Sequence, residues 1–141
     1  MMKLLYLTNI QIPAKGAQNL QIQAMSRAFN LVLGKDFLLI SPQNKENKFL
    51  DTDFNWIKIK ISKSLPRFLK QSILIFKALQ RVFKFKPNYI FTRDIAVACT
   101  YKIFGFQTIY EVHRPFQTMI GDFLFKVISK KNKNCSNLAS T

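Results

Sequence analysis

The residues of this chain that could do chemistry lie where short apolar runs end. Arg93 ends one such run, Glu111 and His113 end the next, and Gly16 lies in the loop after the first. An arginine can bind a phosphate or carboxylate through two parallel hydrogen bonds, and a histidine can hydrogen-bond polar ligand groups. A glycine lets the backbone come close to a ligand. Together these residue types indicate a binding site for a polar, anionic ligand.

Each of these residues also has a purely structural explanation. Gly16 can be an ordinary turn glycine, and His113, the single histidine of the chain, can be a loop residue that bonds to local backbone. Arg93 and Glu111 can form an ion pair with each other or with a charged neighbour. The sequence alone leaves these alternatives open.

The first thirty residues contain the unit that must position such a site. The apolar run Leu4–Leu7 is followed by a polar loop over 8–16 and then by a helical pattern. In that pattern one face of the helix carries Ile22, Met25, Ala28, Phe29 and Val32. A strand that turns through a glycine-containing loop into a helix is typical of α/β nucleotide-binding domains, whose ligands bind at the carboxyl ends of the strands.

The remaining patterns continue this alternation of strands and helices. Further strands are predicted over 37–40, 56–61, 88–92 and 107–112, and further helices over 64–86, 95–104 and 116–130. We therefore expect an α/β fold: a single Rossmann-like domain with a mainly parallel sheet of about five strands and helices on both faces. This domain is expected to span residues 1–130, followed by a polar, frayed tail over 131–141.

The longest helical pattern, 64–86, begins at Ser64, which we expect to cap it. Its large apolar residues fall near one face, which is expected to pack on the sheet, and these are Leu65, Phe68, Leu69, Phe76, Leu79 and Phe83. The basic residues lie mostly off that face. The alternative is a basic amphipathic helix that lies on an anionic lipid surface.

The net charge is +15, from 22 Lys and Arg against 7 Asp and Glu. Such a balance is typical of proteins with an anionic partner, although a biased composition also produces it. No apolar run approaches the roughly 18 residues of a membrane span, and the N-terminus is a poor secretory signal. We therefore expect a cytoplasmic location and free thiols at Cys99 and Cys135. No nucleic-acid-binding motif is present, so we expect no nucleic-acid partner.

Three segments resemble the large retaining family 4 of GT-B glycosyltransferases. The loop and helix over 13–29, PAKGAQNLQIQAMSRAF, resemble the family's first loop and Asn-x-x-Gln-type helix. The segment YIFTRD over 89–94 resembles its D-x-x-x-x-R strand end, with Asn88 where an Asp is common. The segment YEVH over 110–113 resembles its Y-E-x-H strand end. The three segments occur in the family's order.

The resemblance implies two Rossmann-like domains with the active site between them. Residues 1 to about 130 match the N-terminal, acceptor-side domain. The resemblance implies His113 as a catalytic residue and Gly16, Arg93 and Glu111 as substrate-binding residues. It implies no metal and no cofactor, with a nucleotide-sugar as the donor substrate.

The family's second domain binds that donor and carries an E-x7-E motif, but no Glu follows Glu111 in these 141 residues. We therefore expect a fragment, a truncated gene product or one half of a split enzyme, inactive alone. Such a chain would associate with a separate donor-domain chain or with itself. The alternative function is a non-catalytic basic module that docks on an anionic membrane surface or a partner chain.

Overall fold

The fold is described from a computed structural model, in which residues 2–12, 16–43, 54–62 and 64–112 are described. Three sequence predictions lie outside the described residues. They are the helix over 116–130, the tail over 131–141 and the placement of His113.

The described residues contain five strands and three α-helices. The strands are β1 (Leu4–Leu7), β2 (Phe37–Pro42), β3 (Trp56–Ile59), β4 (Tyr89–Thr92) and β5 (Gln107–Tyr110). The helices are α1 (Ala17–Leu33), α2 (Arg67–Phe85) and α3 (Ile95–Ile103), and a 3-10 turn over Gly34–Asp36 follows α1. Each of these strands and helices was predicted from the sequence to within a few residues.

All five strands are parallel, in the order β3-β2-β1-β4-β5. The central strand β1 pairs with β2 on one side, where Leu4 lies opposite Phe37, and with β4 on the other, where Leu4 lies opposite Tyr89. All four residues of β1 are buried, as expected for a strand covered on both faces. The predicted α/β fold with a parallel sheet is confirmed.

The core has two layers, one on each face of the sheet. On one face, Leu5 and Leu7 of β1 pack in the layer that includes residues of α2 and α3. On the other face, Leu4 and Tyr6 pack in the layer that includes Ile22 of α1. This division follows from the alternation of side chains along a strand. Helices therefore cover both faces of the sheet, as predicted.

The prediction for the inward face of α2 is wrong for its phenylalanines, although Leu79 of the predicted face does pack against the core. The side chains of Phe68, Phe76 and Phe83 are 75%, 74% and 52% exposed. The residues that face the sheet instead recur at every fourth position and are Leu74, Ala78 and Val82. Helix α2 therefore carries two apolar rows. We attribute the packing of the row with Leu74 and Val82 on the sheet to the small Ala78, which lets the helix axis come close to the sheet. The row that contains the phenylalanines is left in solvent.

Two details of the helix predictions are also wrong. Val32 is 83% exposed and Ala28 is exposed, because at 100° per residue both rotate away from the row that contains the buried Ile22 and Ser26. Ser64 does not cap α2: its hydroxyl bonds to that of Ser62 at 2.9 Å, and Pro66 is the N-cap residue. A proline disfavours helical backbone in the residue before it, so the helix starts later than predicted.

No helix in the part of the chain that the structure describes is long and apolar enough to cross a bilayer.

Two buried tyrosines provide a matched test of this core. The Tyr101 hydroxyl donates to the Ile75 carbonyl at 2.9 Å and so joins α3 to α2, whereas the buried Tyr6 hydroxyl has no hydrogen-bond partner among the residues that the structure describes. We predict that Tyr101→Phe lowers the free energy of unfolding by about 1 kcal/mol, because a buried hydrogen bond is lost. Tyr6→Phe should be neutral or slightly stabilising, because it removes an unpaired buried hydroxyl. Urea unfolding of both variants tests this, and equal losses would contradict it.

Candidate functional site

The strand order predicts a crevice for a ligand at the carboxyl edge of the sheet. The chain runs outward from β1 to β2 and β3 on one side and continues through β4 and β5 on the other, so the order reverses between β1 and β4. In open parallel sheets, ligands bind outside the carboxyl ends of the strands at such a reversal. Here that position lies between the loop after β1 and the residues Arg93 and Asp94 after β4.

Asp94 joins the elements that surround this crevice. Its backbone is extended and its carboxylate caps α3, where Oδ1 accepts hydrogen bonds from the backbone N–H of Ala96 at 2.9 Å and of Val97 at 3.3 Å. The other oxygen, Oδ2, accepts from Asn9 Nδ2 and from Gln71 Nε2, each at 2.5 Å. One carboxylate therefore holds the loop after β1, the first turns of α2 and the start of α3 together.

The two amides that Asp94 holds also line a cleft of about 230 Å³. The cleft lies between the loop after β1, the end of β2 and the N-terminal part of α2, and its lining residues are Asn9, Ile10, Gln11, Pro42, Ile61, Arg67, Lys70, Gln71 and Leu74. Asp94 engages one N–H of each of these NH₂ groups, so each amide still has a second N–H and a carbonyl oxygen that can bond to a ligand. The cleft thus combines amide groups with an apolar floor.

The cleft is also positively charged. Arg67 and Lys70 lie on its wall, and the first turn of α2 contains no acidic residue and no side-chain cap. The positive end of the helix dipole adds to the charge of these two side chains. The arrangement is suited to a ligand that carries both hydroxyl groups and negative charge.

Arg93 and Glu111 form a two-point ion pair beside this edge. Arg93 Nε donates to Glu111 Oε2 at 2.7 Å, and Nη2 donates to Oε1 at 3.1 Å. The guanidinium also contacts Gln21 and Met25 of α1, so the Arg93 side chain is only 7% exposed while that of Glu111 is 28% exposed. Of the alternatives left open by the sequence, the structure contains the ion pair between these two residues. Their predicted substrate contacts stay a prediction.

Arg93 and Asp94 are adjacent in the chain, but their side chains reach helices on opposite faces of the sheet. Arg93 reaches α1, and Asp94 reaches α2. These helices pack on opposite faces of the sheet, so two adjacent residues tie both layers to the end of β4.

Two further ionisable groups nearby are kept neutral. Burial raises the pKa of Tyr6 to about 12, with Arg93 lowering it and Glu111 raising it by smaller amounts. Burial also raises the pKa of the Cys99 thiol above its ordinary value. At neutral pH both groups are therefore protonated, and Cys99 is not an activated nucleophile.

Gly16 is the N-cap residue of α1, with a backbone φ of 134° that favours glycine. Its carbonyl accepts from the backbone N–H of Asn19 at 3.2 Å, and among the described residues a Cβ at this position would meet nothing within 4 Å. The positive φ explains the glycine at this turn.

The structure brings Arg93 and Glu111 together, as two of the four predicted site residues. His113 lies outside the described residues. The residues that the sequence prediction missed are Asp94 as the organising carboxylate and Gln71 as its partner. Asp94 had a detectable signal, since an aspartate directly before an apolar helical run is a common N-cap. Nothing local marks Gln71, because its contact depends on the packing of α2.

Within the described ranges, no group of three or more His, Cys, Asp or Glu is arranged to hold a metal ion. Comparison with protein-family models, with curated proteins and with solved structures finds no match to this chain.

The unequal burial of the Arg93–Glu111 pair gives a test of its structural role. We predict that Glu111→Met lowers the free energy of unfolding by about 2–3 kcal/mol, because it leaves a buried guanidinium unpaired. Arg93→Met should cost about 1 kcal/mol, because the half-exposed carboxylate can still be hydrated. Urea unfolding of both variants and of the double variant measures the coupling. A larger loss for Arg93→Met than for Glu111→Met would contradict the explanation.

Proposed function

We propose that this domain is the acceptor-side half of a retaining GT-B glycosyltransferase. One observation supports the proposal: each of the three segments that resemble the family includes or follows the carboxyl end of a strand of the same parallel sheet. The segment over 13–29 comes after β1 in the chain, the segment over 89–94 contains β4 and the two residues after it, and the segment over 110–113 begins at the last residue of β5. A resemblance that collects at the ligand-binding edge of a parallel sheet is what a shared site would produce.

The cleft beside Asp94 is, in this proposal, the place where the acceptor binds. The amides of Asn9 and Gln71 would accept hydrogen bonds from sugar hydroxyls, and Arg67 would contact an acidic group of the acceptor. This combination of amide groups and a cation favours an acceptor that is a phosphorylated or otherwise acidic sugar derivative.

The other site residues keep the roles that the resemblance implies. His113 is proposed as the catalytic residue that contacts the reacting sugar, and Gly16 as the point where the backbone approaches the donor diphosphate. The Arg93–Glu111 ion pair joins the ends of β4 and β5. Any substrate contact of these two residues would therefore be made by side chains that already hold each other in place. The donor would be a nucleotide-sugar held largely by a second domain of the kind seen in the family, and we place the enzyme in the cytoplasm.

The proposal predicts selective binding of phosphosugars by the 141-residue chain. In a ¹⁵N-NMR titration, glucose 6-phosphate should shift the amide signals of Asn9, Gln11 and Gln71 at lower concentration than glucose or inorganic phosphate does, because the cleft offers groups for both moieties. Arg67→Gln should weaken this binding about tenfold, which corresponds to about 1.4 kcal/mol. The control is Arg27→Gln, which removes the same charge from α1 on the opposite face of the sheet.

Two results would count against the proposal. One is binding of glucose 6-phosphate that shifts signals outside the carboxyl edge, and the other is an equal loss of affinity in the two arginine variants. The same preparation is expected to show no turnover of nucleotide-sugars, because in the family the donor-binding carboxylates belong to the second domain.

A further inference from the structure

The outer surface of α2 carries a row of large apolar side chains that are mostly left exposed. Phe68, Phe76 and Phe83 are more than half exposed, and Leu69 is 43% exposed. Phe83 also packs on Phe106, with ring centroids 5.6 Å apart. From position 68 to position 83 the row is about 22 Å long at 1.5 Å per residue. Isolated exposed apolar residues are common on protein surfaces, but several large ones along one helix surface indicate a contact surface.

A cationic groove runs beside this apolar row. It lies between β3 and α2, has a volume of about 290 Å³, and is lined by Lys58, Lys60, Lys77 and Arg81 together with Phe76. All four basic side chains are exposed. Lys77 Nζ donates to the Lys60 carbonyl at 3.1 Å, which holds one of the charges at the seam between helix and strand.

The chain contains ten basic residues and no acidic one between Asp53 and Asp94, so neither β3 nor α2 contributes a negative charge to this surface. We call the apolar row and the groove together the α2 surface. A binding partner of this surface must therefore offer an apolar region and negative charge side by side.

We infer that the α2 surface docks on the interface of an anionic lipid bilayer. There the phenylalanine rings would enter the boundary between headgroups and acyl chains, and the lysines and Arg81 would lie level with the lipid phosphates. A second copy of the chain fits less well, because it would bring the same four cations against their equivalents. RNA supplies phosphates but no apolar phase for a row that includes Leu69. This inference does not rest on the proposed function, since it uses a different surface.

Vesicle flotation of the full 141-residue chain tests the inference. The protein should float with phosphatidylcholine vesicles that contain about 30% phosphatidylglycerol and not with pure phosphatidylcholine, because neutral lipid offers no charge partner. Raising the salt from about 50 mM to about 300 mM should weaken binding, because exposed charges are then screened.

Two pairs of substitutions separate the charged and apolar contributions. Lys77→Gln with Arg81→Gln should lower the partition coefficient roughly 25-fold, at about fivefold per charge. Phe68→Ser with Phe76→Ser should lower it at least about tenfold. The controls remove one arginine and one lysine, or two exposed apolar side chains, from α1 and the turn after it: Arg27→Gln with Lys35→Gln, and Leu20→Ser with Leu31→Ser. Both controls should bind within about twofold of the unchanged chain.

The substituted side chains are all exposed, so the variants should unfold at nearly the same temperature as the unchanged chain in circular dichroism melts. If one pair of substitutions unfolds the protein, the binding of the other pair tests the inference. Equal binding to neutral and anionic vesicles, or equal losses in the controls, would overturn the inference. So would binding of a single-stranded RNA, sensitive to the Lys77 and Arg81 substitutions, in the absence of vesicle binding. A dimer that Phe68→Ser with Phe76→Ser dissociates, again without vesicle binding, would assign the surface to a second copy.

Discussion

The hydrogen bonds of the Asp94 carboxylate are the interactions on which the carboxyl edge of this sheet depends. The carboxylate accepts hydrogen bonds from two backbone N–H groups of α3 and from the side-chain amides of Asn9 and Gln71. Three segments that are far apart in sequence thereby meet at one charged group. Hydrogen bonds to a charged acceptor are stronger than neutral ones, so this junction resists rearrangement. The shape of the cleft between the loop after β1 and α2 follows from it.

A second consequence concerns the two sides of α2. Its inner row fits the sheet through Leu74, Ala78 and Val82, and its first turns reach Asp94 through Gln71. With the helix fixed at these points, the row with Phe68 and Phe76 is turned to solvent. The same packing that forms one wall of the cleft therefore exposes the apolar side chains of the α2 surface, so both features lie on one helix.

The sequence predicted the strands and helices well because their signals are local. Buried parallel strands such as Leu4–Leu7 are continuous apolar runs, and Gly34 ends α1 just after the last periodic residue. The inner face of α2 could not be predicted, because periodicity does not choose between two apolar rows when packing against the sheet decides. The hydrogen bond between Asn9 and Asp94 joins residues 85 positions apart, and no local pattern encodes it. The Arg93–Glu111 pair was foreseen only as one alternative for each residue.

The central claim is that Asp94 holds Asn9 and Gln71 in the wall of a preformed cleft, and NMR of these two side-chain NH₂ groups tests it most directly. In the unchanged chain, the signals of both groups should lie downfield of those of free amides, and their hydrogens should exchange slowly with water. The reason is that both groups donate to the partly buried Asp94 carboxylate. In Asp94→Ala, both should move to free-amide positions together while the signals of β1 and β2 stay in place. Unchanged Asn9 and Gln71 signals in a folded Asp94→Ala protein would contradict the account.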